Sequence, residues 1–303
     1  MRTFSVAAAE GGTAVAVGAR LSGVRTFSVA AAVGGTAVAV GAGLSALCLG
    51  QRSILWPRPP VETRLPTTGQ LIRLSPSHVA LHFPPAQETS STTLVYFHGN
   101  GDQLASSWGA AAIGELLHRR GFGFVAVEYP GYGLAAGKIS ESAVMEASEA
   151  LLRHLQVESS QVPRSSMLLL GQSIGCAVAI QMASRGFGRG LFLLSPFWSV
   201  HEMASVLFPP LRSIVSRAPF LIFDKLDNGL HVASLKTRTV IMHGSNDDVV
   251  PISHGRRLAE AFDPEASCRF IEIPRGSHND LWEADHVEQV ISAITDLARE
   301  TLR

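Results

Sequence analysis

The sequence predicts an α/β domain: a mostly parallel, buried β-sheet flanked by helices. Three observations predict it. From about Ser77 the chain alternates short β-branched or apolar runs with longer amphipathic ones, the pattern of βαβ units around one sheet. Hydrophobic residues make up 46% of the 303 positions, enough to bury one large core. Each polar motif falls just past the end of an apolar run, where the loops of such a sheet gather into a site.

The N-terminal segment stands apart. Arg2–Ser22 recurs almost unchanged as Arg25–Ser45, and the two aligned differences, Glu10 against Val33 and Arg20 against Gly43, each replace a charge. Thr26–Gln51 is left uncharged, about the length of a helix that crosses a bilayer. A single N-terminal membrane anchor is one expectation for this stretch. A secretory signal or an organelle transit peptide is the other, because Arg2, Arg20 and Arg25 face a single acid, Glu10. Two copies are too few for a solenoid. Residues 1–56 are therefore expected to be a hydrophobic repeat segment, and Pro57-Arg58-Pro59-Pro60 reads as a linker.

Over residues 77–303 the spacing predicts strands at Val79–Phe83, Thr93–Phe97, Phe122–Glu128, Met167–Gly171, Leu191–Ser195, Thr239–His243 and Arg269–Ile273. Helices are expected over Leu104–Arg120, Glu141–Leu155, Ile174–Arg185, Ile252–Phe262 and Val287–Leu302. An insertion of about 196–236, rich in Phe, Leu and Ile, is expected to form a small helical cap.

Bulk chemistry removes several function classes. With 25 basic and 25 acidic residues, no net field draws the chain to nucleic acid. Cys48, Cys176 and Cys268 are odd in number and lack metal-ligand spacing, which argues against a disulfide framework and a structural zinc site. No metal site and no cofactor are implied.

The run Gly171-Gln172-Ser173-Ile174-Gly175 fits a sharp strand-to-helix turn that exposes the serine hydroxyl. Chance supplies about a quarter of one such match in a chain of this composition, so context decides. Met167–Leu170 is a short strand signal and Cys176–Ala183 opens an apolar helix. A serine hydroxyl needs a histidine to take its proton and an acid to orient that histidine. Both are expected downstream. The strand Thr239–His243 runs into Asp247 and Asp248, and His278 follows the strand Arg269–Ile273.

The segment from Leu94 to about Arg299 resembles the α/β-hydrolase superfamily, in particular its eukaryotic α/β-hydrolase-domain branch. The strings that carry the resemblance are Tyr96-Phe97-His98-Gly99-Asn100-Gly101, Glu128-Tyr129-Pro130-Gly131-Tyr132-Gly133, the Ser173 elbow, His243-Gly244-Ser245-Asn246-Asp247 with Pro251, and His278-Asn279-Asp280. The resemblance implies a triad of Ser173, Asp247 and His278, with Asp248 as a solvated neighbour. It also implies an oxyanion hole from the backbone N–H groups of Asn100 and Ile174. His98 and His243 would be structural residues of their His-Gly turns. Asp280 is expected to cap the helix or turn that follows, and Cys176 to be a small core residue.

The apolar cap suits an acyl chain, so the expected activity is a serine hydrolase acting on carboxylic esters or thioesters, with lipid or acylated-protein substrates. The branch resembled includes membrane-associated depalmitoylases and lipases. This sequence departs from the depalmitoylases in lacking an N-terminal cysteine cluster, having only Cys48 there. Serine aminopeptidase-like hydrolases share the motif order. Such an enzyme would need an acid near the cap for the substrate amine, and Asp224 and Asp227 are the candidates. A catalytically silent binding protein is the third reading.

Overall fold

The computed structural model describes residues 5–8, 14–18, 28–32, 50–85, 92–106, 108–158, 162–209 and 212–302. The chain divides into two compact units, Met1–Leu55 and Trp56–Arg303. In the first, strands β1 (Ser5–Ala8), β2 (Ala14–Gly18) and β3 (Ser28–Ala32) form an antiparallel sheet in that order. A short helix, α1, spans residues 50–55. β1 and β3 are the same stretch of the two repeat copies, and both pair with β2.

The transmembrane helix expected over Thr26–Gln51 is not supported. Ser28–Ala32 is a strand, and no helix among the described residues is long and apolar enough to cross a membrane. The antiparallel pairing of Ser28–Ala32 with β2 overrides the helix propensity of its alanines. Residues 33–49 of that stretch lie outside the described residues.

The second unit is built on an eight-stranded sheet of order β11-β10-β9-β8-β6-β7-β5-β4. Its strands are β4 (Gln70–Ser75), β5 (His78–Phe83), β6 (Thr93–Phe97), β7 (Gly123–Val127), β8 (Met167–Gln172), β9 (Gly190–Leu194), β10 (Arg238–Gly244) and β11 (Cys268–Ile273). All neighbours from β7 to β11 pair in parallel, and β5 and β4 add antiparallel strands at one edge. Every residue of β6, β7 and β9 is buried, because helices cover both faces of a parallel sheet.

Those helices are α2 (Ala110–Arg119), α3 (Glu141–Arg153), α4 (Ile174–Ser184), α8 (Ile252–Ala261) and α9 (Val287–Glu300). α4 is buried at ten successive positions, so it runs through the core beside the sheet and is not an amphipathic surface helix. The chain leaves β6 for β7 on one side, then crosses back to β8 on the other. The carboxyl ends of β6 and β8 therefore flank the point where strand order reverses, the crevice in which open α/β sheets bind ligands.

Three departures from the sequence reading have local causes. The second helix starts at Ala110, not Leu104, because residues 101–106 run through turns and Gly109, with φ −115° and ψ −126°, lies outside the helical region. β4 carries no sequence signal strong enough to predict it, since its residues are half-buried or exposed. Pro57–Pro60, expected as a linker, begins the second unit instead. Trp56 is buried and donates its indole N–H to Asp224, and the Pro60 carbonyl accepts from Gln103 Nε2 at 2.6 Å.

Candidate active site

Ser173 sits between β8 and α4 with φ 53° and ψ −119°, a left-handed conformation that costs a non-glycine residue on the order of 1–3 kcal/mol. Its neighbours explain why the turn tolerates nothing larger. A Cβ on Gly175 would lie 2.0 Å from the Phe97 carbonyl oxygen, and one on Gly171 would lie 2.6 Å from Cys176 Cα. The turn is held by Ser173 N–H donating to the Leu194 carbonyl at 2.9 Å. Cys176 is buried within 3.2 Å of the Gly171 and Leu194 carbonyls, and burial pushes its thiol pKa well up. It packs as a small core residue.

The other two candidates arrive on neighbouring loops. The turns after β10 and β11 are stapled together: Ser245 N–H donates to the Ile273 carbonyl and Asn246 N–H to the Gly276 carbonyl, both at 2.9 Å. Asp280 contributes differently from expectation. Its carboxylate accepts from Ser277 N–H at 2.8 Å, so it closes the His278 loop behind it and does not cap the segment ahead.

The structure brings Ser173, His278 and Asp247 together. His278 Nε2 lies 2.9 Å from Ser173 Oγ, and its Nδ1 lies 2.8 Å from Asp247 Oδ2 and 3.1 Å from Oδ1. Asp247 Oδ1 also accepts from the N–H groups of Val249 and Val250 at 3.0 and 2.7 Å. The Asp247 side chain is fully buried. Burial alone would favour its neutral acid, yet hydrogen bonds from His243 and His278 outweigh that and hold its pKa well below the usual carboxylate range. Asp248 is exposed. With the proton on Nδ1 directed at the carboxylate, Nε2 presents its lone pair to the serine hydroxyl, the tautomer a general base requires.

The His98–Asn100 turn stands against the elbow, for a Cβ on Gly99 would lie 3.7 Å from Ser173 Cβ. Ile174 opens α4, where the N–H groups have no intrahelical acceptor. His98 faces away from the serine. It is fully buried, its Nδ1 lies 2.9 Å from the Gly99 carbonyl, and its ring stacks on Tyr129 at 4.0 Å. Tyr129 donates to the His98 carbonyl at 2.9 Å. Burial penalises the charge on His98, but Glu128 and Asp102 more than offset it and raise its pKa.

Sequence reasoning missed two contributors. Gln172 Oε1 accepts from Tyr96 Oη and from Trp282 Nε1, both at 2.9 Å, tying the residue before the nucleophile to the loop after His278. His243, read as a turn residue, sits on the far side of Asp247. The Gln172 contacts span 76 and 110 residues and leave no signal in sequence spacing, whereas His243 stands four residues before Asp247 in the His-Gly string.

The insertion after β9 forms α5 (Val200–Leu207), α6 (Arg212–Arg217) and α7 (Gly229–Val232). Leu207, Phe220 and Phe223 are exposed on it. Its base is anchored by Asp224, a buried acid that accepts from Trp56 Nε1 and Glu141 N–H, both at 3.1 Å. An open groove of about 510 Å³, lined in part by Arg269, Glu288 and Asp296, contains none of the three residues brought together at the elbow.

Comparison with known proteins agrees with this fold. The serine aminopeptidase family S33 matches residues 88–229, a stretch that includes Ser173 and ends before Asp247. An uncharacterized protein of Mycobacterium tuberculosis is 29% identical over 202 residues, covering 66% of this chain and 67% of that protein. WAV2, an α/β hydrolase domain-containing protein of Arabidopsis thaliana, is 26% identical over 64% of this chain and 66% of its own length. The chain thus matches about two thirds of these relatives. Among solved structures, a Pyrococcus furiosus esterase superposes with a TM-score of 0.64 at 15% identity, over 81% of this chain and all of that one. A Thermogutta terrifontis esterase gives 0.58 at 16%, over 78% and 95%. Sheet order, elbow and relatives agree: the chain has the α/β-hydrolase fold and is similar in sequence to α/β-hydrolase-domain proteins.

Proposed function

We propose that the chain is a serine hydrolase that cleaves acyl esters or thioesters through an acyl-enzyme intermediate. The observation that carries the reading is the line of contacts from Ser173 Oγ through His278 to Asp247, at 2.9 and 2.8 Å. Ser173 Oγ attacks the acyl carbon as its proton passes to His278 Nε2, and the carbonyl oxygen becomes an oxyanion held by the N–H groups of Asn100 and Ile174. Collapse expels the alcohol or thiol, which takes the proton from His278. Water, deprotonated by the same nitrogen, then releases the acid and frees Ser173. Asp247 stays ionised and stabilises the imidazolium.

The aminopeptidase reading draws support from the family match to residues 88–229. Against it, both Asp224 oxygens are engaged by Trp56 and Glu141, so that acid serves the base of the cap and is not offered to a substrate amine. The exposed Leu207, Phe220 and Phe223 of the cap favour an acyl chain.

A fluorophosphonate probe should label the wild type and leave Ser173→Ala, with its fold intact, unlabelled. Equal labelling of both would show that Ser173 is not the nucleophile, and an unlabelled wild type would leave the silent binding protein. A chain-length series of p-nitrophenyl esters, run beside acyl thioesters and aminoacyl arylamides, separates the substrate classes. Preference for the aminoacyl compounds would overturn the acyl reading.

A further inference from the structure

We infer that His243 is a positioning residue for the triad acid, a second imidazole that fixes the Asp247 carboxylate from the side opposite His278. The inference rests on the triad reading and extends it by one residue. His243 is fully buried at the end of β10. Its Nε2 lies 2.9 Å from the Val250 carbonyl and 3.2 Å from Asp247 Oδ2. Its Nδ1 has no hydrogen-bond partner among the described residues. That nitrogen is pressed against α8, where a Cβ on Gly255 would come within 2.5 Å of it.

These contacts assign the tautomer. The single proton of the neutral ring belongs on Nε2, where two oxygens can accept it, and Nδ1 carries only a lone pair against the helix backbone. His243 Nε2–H is then shared between a carbonyl and the carboxylate. Asp247 Oδ1 is already held by Val249 and Val250 N–H, and Oδ2 lies between two imidazoles. The carboxylate can neither rotate about its Cβ–Cγ bond nor shift toward solvent without breaking a donor contact. Oδ2 is thereby aimed at His278 Nδ1 before substrate arrives, and the negative charge that stabilises the imidazolium is kept in place.

A residue that acts this way through Asp247 should affect the chemical step and leave substrate binding alone. His243→Leu removes the donor and remains apolar, and His243→Gln carries a donor nitrogen at similar reach. On a p-nitrophenyl ester, His243→Leu should lower kcat by about ten- to a hundred-fold, the range for a lost hydrogen bond to a charged group, with KM within about two-fold. His243→Gln should recover most of the lost kcat. In an Asp247→Ala background, His243→Leu should cause no further loss, since the group it acts through is gone.

Thermal melting separates folding from function. Variants that melt cooperatively near the wild-type temperature and still show the kcat loss support the inference. If Leu and Gln lower kcat equally, or if the losses in the double variant multiply, His243 is only a packing residue and the inference is overturned. Unchanged kcat in His243→Leu beside a dead Ser173→Ala overturns the inference alone. Full turnover in Ser173→Ala overturns the triad reading and this inference with it.

Discussion

Replacing Asp247 by Asn tests the geometry most sharply, because the site offers the new amide no acceptable pose. Four donors converge on the carboxylate: His278 Nδ1, His243 Nε2 and the N–H groups of Val249 and Val250. If the Asn oxygen takes the Oδ1 position and keeps the two backbone bonds, its NH2 group faces two imidazole N–H groups, donor against donor. His278 relieves the clash by moving its proton to Nε2, which then points a hydrogen at Ser173 Oγ and cannot accept one. If the amide is flipped, two backbone N–H groups lose their acceptor. The first pose costs the base its lone pair, so kcat should fall about 10⁴-fold, as in serine proteases given the same change. Asp248→Asn, at an exposed neighbour, should change kcat by less than about three-fold. The assay is steady-state hydrolysis of a p-nitrophenyl ester with the fluorophosphonate labelling rate as a check on the nucleophile. If Asp247→Asn keeps more than about a tenth of wild-type kcat, or if Asp248→Asn is the more damaging, the hydrogen-bond argument fails. Asp247 also bears on acid stability. Its folded pKa lies below the unfolded value near 3.9, so the stability it contributes is complete above that value and is lost as pH falls below it. The Asn variant should therefore lose less stability than the wild type between about pH 5 and pH 3.

Two further predictions concern the scaffold. Gly175→Ala places a methyl 2.0 Å from the Phe97 carbonyl oxygen and 2.7 Å from that of His98, which forces α4 away from β6. The cost should be about 3 kcal/mol, lowering Tm by roughly 6–12 °C in a thermal melt, and an unchanged Tm would disprove the close approach. Trp56→Ala removes a buried indole that donates to Asp224 and meets Tyr129 edge to face at 5.9 Å. Denaturant unfolding should show a loss of about 3–5 kcal/mol, and a change below about 1 kcal/mol would mean that Trp56 is not part of this core.

The central parallel strands were legible because burial on both faces writes itself into the chain as apolar runs: Thr93–Phe97 was placed to the residue, and β8, β9 and β10 to within one residue at either end. The Gly-x-Ser-x-Gly elbow was legible for the same local reason, since backbone crowding at Gly171 and Gly175 excludes side chains. β4 was not, because an exposed edge strand needs no apolar pattern. The start of α2 was not either, because the turns before Gly109 carry the same apolar pattern as the helix that follows. A membrane-spanning helix was one expectation for Thr26–Gln51 because the stretch is uncharged and long enough, but charge and length do not record the pairing of Ser28–Ala32 with β2.

The sequence by itself determined the order of elements and the strained serine turn, because each follows from local crowding or periodicity, and the resemblance to α/β-hydrolases singled out the candidate acid and base. Only the tertiary structure decided which groups meet. The reversal of strand order between β6 and β8 brings the Gly99–Asn100 turn to the serine, and the stapled loops after β10 and β11 bring Asp247 to His278. Whether an imidazole is a base, as His278 is placed to be, or a brace, as His243 is, depends on which acceptors surround its two nitrogens. The partners of His278 come from distant parts of the chain, whereas His243 meets Asp247 and the Val250 carbonyl within its own turn, and the fold decides which of the two rings also reaches Ser173.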